Sequence, residues 1–310
     1  MRDFTKTCYE ELLNEMKKAQ YEFVTFEEYL TKNNKNEKTV ILRHDVDKSP
    51  GKALQIAEME KMLGERGTFY FRGKEGLFPV DEIKKIAAMG HEIGYHYEDL
   101  DKARGNVEAA LASFKRNLER LREIVPVNTI CMHGSPLSRF DNRDLWNGRD
   151  YREFGIIGEP YFDIDFSKVL YLTDTGRRWD GGAFAIRDKV KGQGLEVRGE
   201  GLEVRGQRTE DRGQKTEGRK QKTDDRIIKT RKQPRIHSTN DLIKAIRNDQ
   251  LPEQIMLTIH PQRWMDEWIP WVYELVSQNV KNRVKFLLVR GKGLEVRGER
   301  EDKNRSEVRG

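Results

Sequence analysis

The chain has 310 residues, enough for one large α/β domain or two small ones, and 58 basic against 52 acidic residues give a formal net charge of +6. This mixture of signs argues against a nucleic-acid-binding protein, which needs a surface of one sign. The first residues are polar, and no apolar run is long enough to cross a membrane, so we expect no membrane span and a cytoplasmic location. The two cysteines, Cys8 and Cys131, are interpreted as small buried hydrophobic residues, not as a disulfide framework.

The low mean hydropathy of −0.85 comes mainly from two segments, 191–235 and 291–310. Both consist largely of Arg, Lys, Glu, Gly and Gln, and both contain the repeat Gly-Leu-Glu-Val-Arg-Gly. Their few apolar side chains do not offset the entropy of ordering the chain. We therefore predict a disordered insertion and a disordered tail, with residues 1–190 and 236–290 forming a single domain. The alternative, a nucleic-acid-binding arm, is disfavoured by the interspersed acids and the absence of aromatic residues.

The remaining chain predicts alternating strands and helices. In chain order, the predicted strands are 21–26, 38–42, 68–71, 92–96, 129–133, 154–157, 169–172, 183–186, 255–261 and 284–289. The predicted helices are one from Asp3 or Thr5 through Met16, then 51–65, 81–89, 106–124, one through Leu242 and Ile246, and an aromatic-rich one over 264–275. Strands separated by helices of this length indicate parallel βα units and an α/β fold.

Acidic and imidazole side chains lie at or just after the ends of several predicted strands. They are Asp45, Asp47, His96, His133 and His260. In parallel α/β folds the chemistry gathers at the carboxyl ends of the strands, so we expect these five residues to share one pocket.

The pair Asp45 and Asp47 suggests a metal site. Side chains alternate along a strand, so the two carboxylates point to the same side. They cannot both stay charged cheaply without a cation between them or a proton on one of them. Together with His91 and His96, they indicate metal ligation by Asp and His. The alternative is an ordinary capped loop after a strand.

Three stretches resemble motifs of the polysaccharide deacetylase family, also called the NodB-homology domain or carbohydrate esterase family four. They are Arg-His-Asp-Val-Asp at 43–47, Gly-His-Glu-Ile-Gly-Tyr-His at 90–96 and Leu-Thr-Ile-His-Pro at 257–261. The resemblance implies a distorted (β/α) barrel that uses a divalent metal, with zinc the expected ion, to remove N- or O-linked acetyl groups from a sugar or polysaccharide. A carbohydrate substrate is therefore the expected partner.

The resemblance also implies roles for individual residues. Asp45 corresponds to the general base and His260 to the general acid. Asp47 and His96 correspond to metal ligands. The implied chemistry is attack on the acetyl carbonyl by metal-activated water, followed by protonation of the leaving group.

The sequence departs from the family pattern in three places, one of which is the family's arginine-proline motif, because His133-Gly134-Ser135-Pro136 stands at the corresponding strand end. Val46 separates two aspartates that are usually adjacent, and Leu100 stands where the family has its second metal histidine. We predict Glu98 as the replacement ligand, because a carboxylate near His96 is a suitable donor. Asp99 and His91 are the alternatives.

Substrate contacts are predicted for His133, Arg178 and Trp179. Arg178 either contacts an anionic group or is simply solvated. Trp179 offers a flat face for a sugar ring, whereas core packing is the favoured role of Trp268 and Trp271. The departures leave two other functions open: a catalytically silent saccharide-binding barrel, or a hydrolase of another non-peptide C–N bond. The sequence does not indicate an oligomeric state.

Overall fold

The computed structural model of the chain describes residues 2–32, 38–73, 77–134, 138–179 and 236–283. The predicted insertion, the predicted tail and the strands predicted at 183–186 and 284–289 lie outside these residues.

The described part of the chain is built on a seven-stranded sheet. Its strands are β1 Glu22–Val24, β2 Thr39–Val46, β3 Thr68–Phe71, β4 Glu92–Tyr97, β5 Ile130–Met132, β6 Leu170–Thr173 and β7 Gln254–Ile259. The order is β5-β4-β3-β2-β7-β6, with β1 beside the first half of β2, and every pairing is parallel. The sheet curls into a half-barrel with flanking helices, which confirms the predicted distorted (β/α) barrel.

Helices connect the strands. They are α1 Lys6–Lys18, α2 Phe26–Thr31, α3 Pro50–Met62, α4 Val80–Ala88, α5 Asp99–Lys102, α6 Val107–Arg122, α7 Pro160–Asp163 and α8 Thr239–Arg247, and residues 268–283 are also helical. In α6, Ala110, Phe114, Leu118 and Leu121 recur at helical spacing and are buried, and the Asn106 side chain caps the first turn. No helix in the described ranges is both long and apolar enough to span a bilayer.

One predicted strand is wrong. Residues 154–157 do not form a strand: Tyr151–Phe154 is a 3₁₀ turn, and Gly155 follows it in the left-handed region with φ +69°. The nearest pairing is a single bridge between Gly158 and Thr129. A short apolar run does not distinguish a strand from a buried turn, and the glycine ends the extended geometry. The neighbouring prediction at 169–172 is confirmed by β6.

The two faces of β2 explain where the polar residues lie. All eight of its residues are buried, as expected for a strand covered on both faces. Ile41 belongs to a small apolar cluster with Tyr70, Cys131 and Met256, whereas Val40 and Leu42 belong to a larger cluster. Because side chains alternate, Arg43 and Asp45 continue the Ile41 face toward the carboxyl end of the sheet. The polar site therefore lies above the small cluster.

Candidate active site

Arg43 holds the carboxylate of Asp45. The two residues lie on the same face of β2, and the Arg43 Nε and Nη2 atoms donate to the two Asp45 oxygens at 2.8 and 2.7 Å. Burial would raise the pKa of Asp45, but the charge of Arg43, helped by His96 and His260, outweighs burial and lowers it below its usual range. Asp45 is therefore ionised at neutral pH, and each oxygen keeps a lone pair that can accept a further proton.

Asp47, His96 and His133 form a cluster of possible metal ligands. Asp47 Oδ1 lies 3.6 Å from His96 Nε2 and 3.4 Å from His133 Nε2, and one ligand atom from each residue lies within 4.8 Å of the others. The same Asp47 oxygen is buried and has no hydrogen-bond partner among the described residues. A buried carboxylate oxygen without a donor is costly, and Arg72 Nη1, at 3.7 Å, is too far away to donate to it, so the oxygen can still accept a closer cation.

The backbone fixes the orientation of His96. Its Nδ1 lies 2.9 Å from the carbonyl oxygen of Cys131, which can only accept, so Nδ1 carries the proton. Burial lowers the pKa of His96 to about 4, so the ring is neutral at pH 7. The Nε2 lone pair therefore faces Asp47 Oδ1, and two acceptors meet with no hydrogen between them.

In a second triplet, Asp45, His96 and Cys131, one potential ligand atom from each residue also lies within 4.8 Å of the others. It shares His96 with the first triplet. Its carboxylate already accepts two hydrogen bonds from Arg43, whereas Asp47 Oδ1 accepts none. The Asp47 triplet is therefore the better candidate.

His133, which was predicted to contact substrate, lies between Asp47 and Glu98, with its Nε2 3.4 Å from Asp47 Oδ1. It follows β5, and its Nδ1 is 3.4 Å from Glu98 Oε2. Burial opposes a charge on this ring, but Glu98 and Asp47 outweigh burial and raise the pKa of His133. The structure thus places an imidazole of the next strand where the sequence suggested a carboxylate from the loop after β4.

Glu98 lies behind His133. Its Oε2 accepts from Arg72 Nη2 at 2.5 Å, and its Oε1 accepts from Lys102 Nζ at 2.7 Å. Within the described ranges it belongs to neither group of candidate ligands. Its predicted role as a direct ligand stays a prediction, and its observed contacts are with two cations and an imidazole.

The alternatives to Glu98 have other partners. Asp99 is fully buried and accepts from Tyr95, Ser113 and Asn117. His91 is buried, with its Nε2 3.1 Å from the Ala57 carbonyl oxygen. Both sets of contacts are structural.

His260 faces the pocket from the end of β7, with its Nε2 4.0 Å from Asp47 Oδ2. Its other ring nitrogen lies 2.6 Å from Asp174 Oδ1. Asp174 also accepts from the His260 backbone N–H at 2.8 Å, from Arg263 Nη1 at 2.5 Å and from Trp264 Nε1 at 2.8 Å. Burial opposes ionisation, but Arg263 and His260 outweigh it and lower the pKa of Asp174. An ionised, immobilised carboxylate thus orients His260.

Sequence reasoning missed Asp174, although it immediately follows β6. The rule that selected the other pocket residues, an acid just after a strand, would have found it. Arg43 was noticed as part of a motif but was given no role.

Two tryptophan predictions are wrong. Trp179 is only 2% exposed and belongs to the core, where it stacks on Phe4 and its indole N–H donates to Thr239. It therefore has no free face for a sugar. Trp268 is 62% exposed, with its ring parallel to that of Trp271, because the helical face that carries it is not covered by the described part of the chain. Arg178 is partly buried in the loop after β6, and its predicted substrate contact is untested.

No protein-family model matches the chain, and no curated protein matches it. Several solved structures do align with it. The peptidoglycan deacetylase PdaC from Bacillus subtilis is 20% identical, with 31% of this chain and 50% of that chain covered and a TM-score of 0.28. A family 4 carbohydrate esterase from Bacillus anthracis is 18% identical over 47% of this chain and 66% of that one, with a TM-score of 0.33. The Xyl-CE4 domain of a multidomain xylanase from the hindgut metagenome of Trinervitermes trinervoides is 12% identical over 85% of each chain, with a TM-score of 0.34.

These neighbours are deacetylases and family 4 carbohydrate esterases. The chain spans half the length of the peptidoglycan deacetylase structure. At these TM-scores and identities the likeness carries no argument about chemistry, which depends on the residues of the site.

Proposed function

We propose that this chain is a metal-dependent hydrolase that removes an acetyl group from a sugar or polysaccharide intermediate. The observation that carries the proposal is the buried Asp47 oxygen, which faces the Nε2 atoms of His96 and His133 and has no hydrogen-bond donor in the part of the chain that the structure describes. A cation placed among these three atoms would satisfy all of them at once.

The donor set fits a catalytic zinc site. Two imidazole nitrogens and one carboxylate oxygen are typical protein ligands of catalytic zinc, which keeps a further position open for water or substrate. When bound, a divalent ion polarises a carbonyl group and lowers the pKa of bound water toward about 7. The non-peptide bond expected to break is the amide or ester bond of the acetyl group.

The chain's own residues supply the proton transfers. Asp45, kept ionised by Arg43, is placed to take the proton of the attacking water. His260 is placed to give the proton on its Nε2 to the leaving amine or alkoxide, while Asp174 holds the Nδ1 side of the ring. Base and acid lie at the ends of the neighbouring strands β2 and β7.

The motif resemblance supports the same assignment. The main departure from the family motif is the missing second metal histidine, and another histidine of this chain can take its place. Leu100, at the position of the family's second metal histidine, is buried in the hydrophobic core. His133 supplies an imidazole from the neighbouring strand instead. The departure therefore no longer favours a catalytically silent saccharide-binding barrel. The cytoplasmic location and the identity of the metal stay predictions.

The test compares wild type with Asp47→Asn and with Asp81→Asn, which changes an exposed aspartate of α4. Purified, chelator-stripped proteins are titrated with zinc, and acetate release is measured on acetylated chitin and xylan oligosaccharides. We expect one zinc per wild-type chain, zinc-stimulated acetate release, and at least about a hundred-fold weaker zinc binding in Asp47→Asn with an unchanged circular dichroism spectrum.

Two results would contradict the proposal in different ways. Zinc binding by Asp47→Asn equal to that of wild type refutes the ligand assignment. Stoichiometric zinc without acetate release from either substrate refutes the deacetylase assignment and leaves the metal site standing.

A further inference from the structure

The two imidazoles of the candidate metal site are oriented by different means. His96 donates from Nδ1 to a backbone carbonyl, that of Cys131. His133 has no such backbone acceptor within the described ranges. Its Nδ1 is buried without a conventional hydrogen bond, and the nearest acidic atom is Glu98 Oε2 at 3.4 Å.

This difference matters because a neutral imidazole binds a metal only through the nitrogen that carries no hydrogen. For His133 Nε2 to present its lone pair beside Asp47, the proton must lie on Nδ1, where an acceptor stabilises it. Glu98 is the carboxylate in position to be that acceptor. Metal-binding histidines commonly pair their second ring nitrogen with a carboxylate or a backbone carbonyl in this way.

Glu98 is itself held in place. Arg72 and Lys102 each donate to one of its two oxygens, at 2.5 and 2.7 Å. Arg72 also approaches Asp47 Oδ1, with its Nη1 at 3.7 Å. The Glu98 charge therefore does two things: it faces the ring of His133, and it offsets the Arg72 cation that would otherwise repel a metal ion beside Asp47.

We propose that Glu98 is a positioning residue that accepts the Nδ1–H of His133 and so directs His133 Nε2 toward the metal. This inference rests on the proposed metal site. It replaces the expectation that Glu98 coordinates the metal directly, and that expectation becomes one outcome of the test.

The experiment compares wild type with Glu98→Ala, Glu98→Gln and Asp47→Asn. The control is Glu119→Ala, because Glu119 is an exposed residue of α6 whose carboxylate lies 4.0 Å from the Lys115 ammonium at the surface. Zinc affinity is measured by chelator competition at fixed pH, and the visible spectrum of the cobalt-substituted protein reports the ligand field. The tautomer of His133 in the metal-free protein is read from the ¹⁵N shifts of its ring.

We expect Glu98→Ala to bind one zinc about 10- to 100-fold more weakly than wild type. Glu98→Gln should recover part of that loss, because its amide oxygen still accepts the Nδ1–H, but not all of it, because the charge that offsets Arg72 is gone. The cobalt spectrum should keep its intensity and shift in position. The His133 ring should lose its preference for Nδ1–H in Glu98→Ala, a change that a merely structural role would not produce.

Wild-type zinc affinity and an unchanged tautomer in Glu98→Ala would overturn the inference, while the metal site would stand if Asp47→Asn loses zinc. A loss in Glu98→Ala as complete as that in Asp47→Asn would also overturn it, by making Glu98 a direct ligand. Failure of the wild-type chain to bind either metal would refute the proposed metal site and this inference together.

Discussion

Asp47 and Asp174 are the same residue type, both follow parallel strands and both contact histidines of one pocket, yet their surroundings are opposite. Asp174 accepts from four donors on His260, Arg263 and Trp264. Asp47 has a buried oxygen that accepts from no donor in the described segments. The supply of donors, not burial, separates the two carboxylates, because Asp174 is the more deeply buried of the pair. A carboxylate whose two oxygens both accept hydrogen bonds orients its neighbour. A carboxylate with an unpaired buried oxygen requires a cation.

The largest expected effect comes from Asp174→Asn. Its amide keeps only one acceptor oxygen, so its N–H groups face either Arg263 and His260 Nδ1 or Trp264, and the side chain no longer fixes the tautomer of His260. We expect acetate release to fall about 10²- to 10⁴-fold, while zinc affinity stays at the wild-type value. Kinetics and chelator competition on the same preparation measure both. Loss of zinc together with activity would show that the two carboxylates do not have separate roles.

Arg43→Met extends the comparison to the third carboxylate, Asp45. Arg43 is 1% exposed and donates to both Asp45 oxygens, so its loss leaves a buried charge without a partner. The free energy of unfolding should fall by about 3–5 kcal/mol in urea denaturation. The double variant Arg43→Met with Asp45→Leu removes both charges and should recover most of that loss. If the single variant is as stable as wild type, Arg43 does not neutralise Asp45.

The third prediction concerns pH. Burial lowers the pKa of His96 to about 4. Between pH 6.5 and 4 the unfolded chain therefore binds more protons at this residue than the folded chain, and the folded state loses stability as the pH falls through this window. The contribution is about 3 kcal/mol at most.

This pH effect is measured by urea denaturation of the chelator-stripped protein at pH 7 and pH 4, for wild type and for His96→Asn, whose amide can still donate to the Cys131 carbonyl. The raised pKa of His133 acts in the opposite direction, so the difference between the two proteins isolates His96. Parallel pH profiles for wild type and variant would contradict a neutral, buried His96.

The smallest effect is expected from Trp264→Phe, which keeps an aromatic ring but removes one of the donors to Asp174. One other donor, the His260 backbone N–H, still serves the same oxygen. We expect a loss of about 1–2 kcal/mol in the free energy of unfolding and a smaller fall in activity than in Asp174→Asn. An equal fall in activity would mean that the indole N–H, more than the carboxylate charge, orients His260.

The convergence of Asp47, His96 and His260 could be predicted from the sequence, because it follows from local patterns in the chain. The apolar run 38–42 gave the start of β2, and alternation placed Asp45 and Asp47 on one side of it. The rule for parallel strands then brought His96 and His260 to the same edge of the sheet. The described distances among these residues agree with that reasoning.

The remaining features depend on tertiary contacts. Whether Glu98 or His133 approaches Asp47 depends on the register of β5 against β4, which pairs Met132 with Tyr97 and is not contained in a motif spacing. The exposure of Trp179 and Trp268 was misjudged because Trp179 lies in a polar, Gly-rich stretch and Trp268 in an aromatic-rich one. Only the packing of distant segments buries the first and leaves the second in solvent.

The position of β2 in the sheet has a consequence for biosynthesis. The three candidate metal ligands all occur by residue 133, whereas β2 is completed on its other side only when β7 pairs with it, Thr39 with Gln254. During translation the N-terminal part emerges first, so Asp47, His96 and His133 leave the ribosome well before His260. Until then one edge of β2 has unsatisfied backbone groups, a template for pairing with other chains. The strand on which the site is built is therefore open to such pairing until residues 254–259 have been synthesised.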